Sequence, residues 1–465
     1  MTQLNIKPVL ESSNPWWDPT SSFIHSSFSR QITQEIESHL NNPAALVLIG
    51  PRQSGKTTIF YQVIKYLLTQ TKDPKYIVYV PMDRMKNATL HDIIKAHREL
   101  TAVYGKTYYF FDEVHYDPEW AVHLKTLIDA QTQNKYLATG SSSTLLLKDS
   151  AESGIGRFDF KTVSPFSFRE FIQVNGFPSH EMEELTLQSD LLNIMKKLQD
   201  IDEVKLLTLK RHLDPLLQKY LLFGGFPAQF GYKYNILQWQ NYLRLNYVSL
   251  TLYKDILSRY EVRDPSILED LLFLIAEKTT LPLSYDSIGK MFNISIETAR
   301  QYLHYLEAAG LIIICDYYTM NISKRTRRNK KFYIIDPGLT TALKYTNFLS
   351  DNDMSKNIET TVAAHLANYL KVSTGLLNPK ISYWKEKYEV DFVIKSGIQP
   401  VPIEVKYTNN ITMNDLKGLI SFLNNEGLST GFVITKDIVD VWDMDTKQII
   451  LLPAWLVLCC LGGRN

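Results

Sequence analysis

The sequence predicts an α/β protein of several domains in series: a parallel-sheet domain around a phosphate-binding loop, a helical linker, a helix-turn-helix unit with a hairpin, and a mixed α/β domain. Three observations carry this expectation. A G-x-x-x-x-G-K-T loop runs from Gly50 to Thr57 between an apolar run and a helix-forming segment. Residues 284–331 order two helices ahead of a β-rich and then strongly basic stretch. Residues 357–407 set an amphipathic helix before two alternating strands that carry acids and a lysine. A length of 465 residues has room for roughly three or four such domains.

Composition narrows the class. A net charge of +1 excludes a globally basic nucleic-acid binder, so any such partner is met by a local patch. The three cysteines, Cys315, Cys459 and Cys460, build neither a disulfide framework nor a zinc pattern, which points to a reducing compartment. The N-terminal stretch has no charged and apolar signal regions, and the longest apolar run, Ile449 to Leu461, is short and holds Pro453. The expectation is a cytoplasmic protein with no membrane partner.

Taken in order, the chain opens with Asn14, Pro15, Trp16 and Trp17 and a helix from Ser29 to Leu40. The tryptophans are expected to pack against the body of the domain, with stacking on an adenine as the alternative. Ala45 to Ile49 is a continuous apolar strand that leads into Gly50, Pro51, Arg52, Gln53, Ser54, Gly55, Lys56, Thr57 and Thr58, and a helix runs on to Thr69. The spacing has a chemical reason. Glycines let backbone N–H groups close around phosphate oxygens, Lys56 serves the β- and γ-phosphates, and the Thr57 hydroxyl serves Mg²⁺; the loop is therefore assigned to ATP with Mg²⁺. Tyr76 to Val80 is a second buried strand. Tyr108 to Phe111 followed by Asp112 and Glu113 has the form of a Walker B strand: Asp112 would hold Mg²⁺ through water, and Glu113 would orient and deprotonate the attacking water. A fourth strand, Tyr136 to Ala138, runs into Thr139, Gly140, Ser141, Ser142 and Ser143, polar groups placed to sense a γ-phosphate or simply to turn the chain. Arg157, before a fifth strand at Phe158 to Val163, reads equally as a surface arginine or as an arginine finger. A finger acts in cis or on a neighbouring subunit, the latter implying a homo-oligomer.

GPRQSGKTT, FFDEVH, ATGSS and GRFDFKTVSPFSFREF resemble the successive motifs of a family of prokaryotic AAA-like ATPases related to the archaeal-type P-loop ATPases. YLLFGGFPAQF, KFYIIDPGL, EVDFVI and PIEVKY resemble later parts of the same family, which joins this module to a C-terminal region of unknown function. The resemblance runs from about Pro15 to Leu458 and implies an AAA-like fold over 1–180 and an ATP site.

Residues 181–265 are leucine-rich at helical spacing, interrupted by Gly224, Gly225 and Pro227, and read as a helical lid or linker. Over 266–352 a winged-helix pattern follows. Ser284 to Phe292 is a short helix, Ser295 caps a second helix through Ala309, Gly310 stops it, and LIIICDYY begins a hairpin. Glu297, Thr298, Arg300, Gln301 and His304 would face outward. The wing would carry SKRTRRNKK, with Lys324, Arg325, Arg327, Arg328, Lys330 and Lys331 as phosphate contacts to DNA. A solvated loop and a protein-docking module are the alternatives.

In the last domain, 353–465, Glu359 lies on a helix, and YEVDFVIK and VPIEVKY are strands joined at Ser396 and Gly397. Alternation puts Glu404 and Lys406 on one face, and Asp391 reaches the same face from the neighbouring strand. Glu359, Asp391, Glu404 and Lys406 resemble the tetrad of the PD-(D/E)xK nuclease fold, with Val390 where the motif places proline. The resemblance implies a restriction-endonuclease-like domain in which the carboxylates Glu359, Asp391 and Glu404 bind Mg²⁺ and Lys406 activates water. Glu203 and Lys205 repeat the E-x-K spacing in a helical stretch, where it has no such meaning. The combined expectation is an Mg-ATP-driven ATPase acting on DNA with a nuclease-like site. A nucleotide-switched regulatory protein and a docking scaffold are the alternatives.

Overall fold

Strands buried on both faces have to find neighbours, and four such strands do so in the first sheet, with a half-buried fifth at its edge. β1 (Ala45–Ile49), β2 (Ile77–Pro81), β3 (Tyr108–Asp112), β4 (Lys135–Gly140) and β5 (Phe158–Thr162) lie in the order β2-β3-β4-β1-β5, and every pair is parallel. The computed structural model describes residues 6–21, 28–85, 87–130, 133–140, 156–178, 191–374, 379–395 and 399–462. The chain divides into two units, Met1–Ser164 and Pro165–Asn465.

In the first unit the sheet is joined by α1 (Ile6–Ser13), α2 (Gln31–Ser38), α3 (Lys56–Gln70), α4 (Leu90–Thr101) and α5 (Trp120–Asp129). Because all connections are parallel crossovers, the residues that follow each strand collect at one end of the sheet, where such folds bind ligands. β4 sits between the loop strand β1 and the acidic strand β3, so Asp112 lies one step beyond the Phe111–Ala138 pair and beside Thr139. The open edge of β2 is covered. The Asn14 amide accepts from the Tyr79 N–H at 2.6 Å and donates to the Tyr79 carbonyl at 2.9 Å, as a strand residue would. The indoles of Trp16 and Trp17 both donate to the Ile77 carbonyl at 3.0 Å. These rings pack on the domain body.

The second unit begins with α6 (Phe168–Val174), α7 (Leu191–Leu198), α8 (Glu203–Phe223) and α9 (Ile236–Leu243), the last continuing into wider helical turns through Ile256. α10 (Pro265–Glu277), α11 (Tyr285–Phe292) and α12 (Ile296–Ala308) follow. Ser284 caps α11 through the Ser287 N–H, Asn293 ends it at φ +53°, and Ser295 caps α12. Glu297, Arg300, Gln301 and His304 are exposed on α12 and Thr298 is half-buried. Glu203 and Lys205 lie in the first turn of α8.

β6 (Ile312–Tyr317) and β7 (Lys331–Ile334) pair antiparallel, and the basic segment between them contains a short helix, α13 (Ile322–Arg327). The hairpin is not a free wing. β6 also pairs with β8 (Ser382–Lys385), which places it at the margin of an eight-stranded sheet with β9 (Glu389–Lys395), β10 (Pro400–Lys406), β11 (Thr430–Thr435), β12 (Asp440–Met444) and β13 (Lys447–Pro453). The order is β12-β13-β11-β10-β9-β8-β6-β7. The turn expected at Ser396 and Gly397 falls outside the described residues. α14 (Pro337–Leu343), α15 (Asp351–Thr374), α16 (Lys417–Glu426) and α17 (Ala454–Leu461) complete the unit. α17 is buried throughout, with Cys459 and Cys460 in the core, and Cys315 is buried in β6.

Two glycine turns in the second unit lock together. Asp336 accepts from the Gly225 N–H at 2.7 Å and from the Leu339 N–H at 3.1 Å, while Gly224 adopts φ +77° beside it. A side chain at Gly338 would place its Cβ 2.2 Å from the Phe223 carbonyl oxygen. Backbone cannot yield there as a flexible side chain could. Gly338→Ala is therefore expected to destabilise the protein by about 2 kcal/mol or more. Thermal unfolding followed by circular dichroism checks this; a melting curve equal to wild type contradicts the close packing.

Candidate functional site

The phosphate loop is shaped by the residues the spacing singles out. Gly50 passes so close to β5 that a Cβ would sit 2.0 Å from the Val163 carbonyl oxygen, Gln53 takes φ +60° and Gly55 φ +96°. α3 starts at Lys56 with Gly55 as its cap, so the first-turn N–H groups point into the loop. The buried Lys56 ammonium donates to the Gly50 and Pro51 carbonyls at 3.0 and 2.9 Å. Pro51 and Ser54 are buried, Arg52 and Gln53 are half-buried, and Thr58 is exposed on the first turn of α3. From outside the loop, buried Arg30 donates to the Ser54 and Ser164 carbonyls, both at 3.0 Å, and so ties the loop to the end of β5.

Asp112 is the centre of the strand-end chemistry. One carboxylate oxygen accepts from Thr57 at 2.8 Å and from Tyr79 at 2.7 Å, and the other accepts from Thr139. The Thr139 hydroxyl in turn accepts from the Glu113 N–H at 2.8 Å. Glu113 sits at φ +56°, ψ +54°, a left-handed conformation that costs a non-glycine residue about 1 kcal/mol and re-aims its side chain away from the strand. His115 pairs with its carboxylate at 3.3 Å. Burial first, then the charge of Asp112, pushes the Tyr79 phenol far above its ordinary range, so it is a fixed donor. A cavity of about 490 Å³ opens beside Asp112 and Glu113, with Tyr61, Tyr79, Asp83 and Arg84 in its walls.

These residues fit a magnesium nucleotide. The Ser54 hydroxyl points into the loop and is buried without a hydrogen-bond partner among the described residues, and the Thr57 hydroxyl and Asp112 carboxylate are the hard oxygen donors that Mg²⁺ takes. Of the two remaining expected members, Ser141 lies outside the described residues. Arg157 is at the wrong end of the sheet: its carbonyl accepts from the Ala45 N–H where β1 begins, and its side chain pairs with Asp129 at 2.6 Å. A five-residue strand, about 16 Å, separates it from the loop of its own chain. Tyr79 and Arg30 were not singled out by sequence. Tyr79 is the central residue of β2, the strand beside β3, two residues before its end.

The second cluster assembles on β7, β9, β10 and α15. Asp391 and Glu404 interlock across the antiparallel strands: the Asp391 N–H donates to Glu404 at 3.3 Å and the Val405 N–H to Asp391 at 3.0 Å. Lys406 donates to the other Glu404 oxygen at 2.6 Å. Glu359 on α15 accepts from Tyr333 at 2.7 Å. Burial first, then Asp391, raises Glu359 to about 7 and Glu404 to about 8. Burial works against the charge of Lys406, and Glu404 and Asp391 outweigh it, so its pKa is raised.

An unexpected residue stands in the middle. Lys331, 1% exposed, contacts Glu359 at 3.2 Å, Glu389 at 2.7 Å and Asp391 at 3.0 Å. Lys330 is also buried and pairs with Asp316 at 3.1 Å. Neither is a phosphate contact, which corrects the expectation for the last two cations of the basic run. Strand alternation explains Lys331: in β7 it shares a face with Tyr333, and both side chains reach Glu359. Among the described residues no group of three or more His, Cys, Asp or Glu is placed to hold a metal ion. Of the three carboxylates expected to share Mg²⁺, Glu359 and Asp391 both contact the Lys331 ammonium.

Residues 42–172 match the AAA domain family, and 214–352 and 355–455 match two separate domains of unknown function. An uncharacterised protein of Methanocaldococcus jannaschii is 26% identical over 395 residues, 83% of this chain and 79% of that protein. One of Haemophilus influenzae is 21% identical over 425 residues, 88% and 94% of the two chains. The ADP form of the Aeropyrum pernix ORC2 protein aligns with 68% of this chain and 92% of its own at 12% identity and a TM-score of 0.30. The AAA match spans the loop and the Asp112 centre and supports a nucleotide-binding, AAA-like P-loop ATPase. No described helix is long and apolar enough to cross a membrane.

Thr139 supports Asp112 and Glu113 at once, so Thr139→Val should slow ATP turnover about tenfold or more while nucleotide affinity changes by less than about threefold. Steady-state hydrolysis alongside a fluorescent-nucleotide titration measures both. Equal losses in the two would assign Thr139 to the loop fold instead.

Proposed function

We propose that this protein hydrolyses ATP with Mg²⁺ and uses the nucleotide cycle to control its action on DNA. The observation that carries the first part is the chain Thr57–Asp112–Thr139–Glu113, which fixes a hydroxyl, a carboxylate and a second, separately aimed carboxylate at the mouth of the loop. In this reading Lys56 leaves the Gly50 and Pro51 carbonyls for the β- and γ-phosphates. Thr57 and Asp112 hold the Mg²⁺, which supplies charge neutralisation on the phosphates when bound. Glu113, turned out of the strand by its left-handed backbone, orients water and takes its proton. Tyr79 keeps Asp112 from rotating, and Arg30 holds the loop backbone.

The DNA part of the proposal rests on the basic segment. Arg325, Arg327 and Arg328 are exposed and have no carboxylate partner among the described residues, whereas Lys324 is paired with Glu386. Arg327 and Arg328 border a cleft of about 490 Å³ with Tyr317, Tyr383, Lys385 and Glu386, and the Arg328 guanidinium lies 5.0 Å from the Tyr317 ring centre. Cations beside aromatic rings suit phosphates and unstacked bases. The proposed action is binding. The alternative in which the second unit only binds, under a nucleotide switch, is favoured over metal-dependent cleavage by Asp391, Glu404 and Lys406 because Lys331 stands among the carboxylates.

Lys56→Ala should weaken ATP binding, whereas Glu113→Gln should keep binding and lose at least about 90% of turnover, since one contacts ground-state phosphates and the other acts on water. Wild-type hydrolysis in Glu113→Gln would remove the assigned role. For DNA, replacing Arg325, Arg327 and Arg328 together by Gln should lower affinity similarly across sequences and reduce the slope of log K against log salt by up to about 3. Unchanged affinity and slope would show that the segment is a solvated loop or a protein contact.

A further inference from the structure

Every oxygen of Asp391 and Glu404 already has a partner. Asp391 gives one oxygen to Lys331 and the other to the Val405 N–H, and Glu404 gives one to Lys406 and the other to the Asp391 N–H. Glu359 spends one oxygen on both Lys331 and Tyr333. The charges also compensate in large part, three ammonium groups against four carboxylates. Glu359, Glu389, Asp391 and Glu404 face the ammonium groups of Lys331, Lys406 and Lys385, the last bound to Glu389 at 2.7 Å. A divalent ion held by Glu359 and Asp391 would have to sit where the Lys331 ammonium now touches both, with two like-charged centres within contact distance at low dielectric.

We propose that Lys331 is the resident cation of this cluster. Its ammonium takes the position between Glu359 and Asp391 that a metal would take in a nuclease-like site, and the C-terminal cluster is closed to divalent ions while β7 stays paired with β6. Three features set this apart from a surface ion pair. Lys331 is 1% exposed, it bridges three carboxylates from two elements, α15 and β9, and it enters from a third, β7, that the tetrad itself does not include. Removing the ammonium leaves oxygens of Glu359, Glu389 and Asp391 at 2.7–3.2 Å around one buried point, a set that must draw inward to hold a hard divalent cation. The inference goes beyond the ATP and DNA reading and does not depend on it, since its readout is metal binding without nucleotide.

The test titrates full-length protein with Mn²⁺ in the absence of nucleotide and follows free Mn²⁺ by electron paramagnetic resonance. Wild type and Glu404→Gln should give superimposable isotherms, because any weak binding at the phosphate loop is common to both. Lys331→Met should gain one Mn²⁺ site at least tenfold tighter than anything in wild type. The gain should disappear in Lys331→Met combined with Asp391→Asn, and Mn²⁺ should raise the melting temperature of Lys331→Met alone. A wild-type site that Glu404→Gln abolishes overturns the proposal, as does a folded Lys331→Met with no new site. If burying those carboxylates unpaired prevents Lys331→Met from folding, the comparison of wild type with Glu404→Gln decides the question by itself.

Discussion

The nucleotide end of the first sheet depends on one carboxylate. Asp112 receives hydroxyl hydrogen bonds from Thr57 on α3, Tyr79 on β2 and Thr139 on β4, so three neighbouring elements are registered against the end of β3. Hydrogen bonds to an ionised group are worth about 1.5–3 kcal/mol each, and three of them restrain the carboxylate more than packing alone would. The strand order makes this arrangement available. Because β4 intervenes between β1 and β3, Thr139 can bond to Asp112 on one side while the loop leaves β1 on the other. The same hydroxyl fixes the Glu113 backbone, which explains how a glutamate at positive φ is held against its own preference.

The second unit is organised differently. One core cluster runs from the helices around α8 into the eight-stranded sheet, a second lies among α9, α10, α11, α12 and α14, and the β6–β7 hairpin contributes side chains to both. Asp336 is buried and its pKa rises to about 6 through desolvation, a cost offset in part by N–H donors from Gly225 and Leu339. Those donors belong to the two glycine-containing turns, 223–227 and 336–339, which approach closely enough to exclude a Cβ. One buried acid thus positions the start of α14 and the end of α8 together.

What was legible in the sequence follows from how local each signal is. The phosphate loop is eight contiguous residues with a fixed spacing, and the acid pair of Asp112 and Glu113 marks a strand end, so both could be placed before any fold was known. The two strands with Asp391, Glu404 and Lys406 were legible through alternation. Of the readings open for Arg157, geometry weighs against a finger in cis: in a parallel sheet, residues before a strand lie at the opposite end from residues after one, and Arg157 precedes β5. Tyr79 was hidden because a strand buried on both faces shows no alternation. Lys331 was hidden by its neighbours. A window of six cations in nine residues averages over the point where the chain enters β7, beyond which every second side chain faces the core.

Two buried lysines show how a similar group can be set for opposite tasks. Lys56 donates to the carbonyls of Gly50 and Pro51, which are neutral acceptors at the start of a helix whose N–H groups add positive potential. A phosphate oxygen offers a charge-assisted bond about twice as strong, so exchange of carbonyl for phosphate is downhill. Lys331 has already made charge-assisted contacts to three carboxylates. Burial alone would lower its pKa, yet the surrounding Tyr333, Asp391, Glu359 and Glu389 raise it well above the ordinary lysine value, so the group stays charged. Drawing it out would leave buried negative charge uncompensated at a cost of about 3–5 kcal/mol. No anion arriving from solvent repays that cost, because the space left behind is itself acidic. The first lysine is therefore held ready for exchange, and the second is held in place.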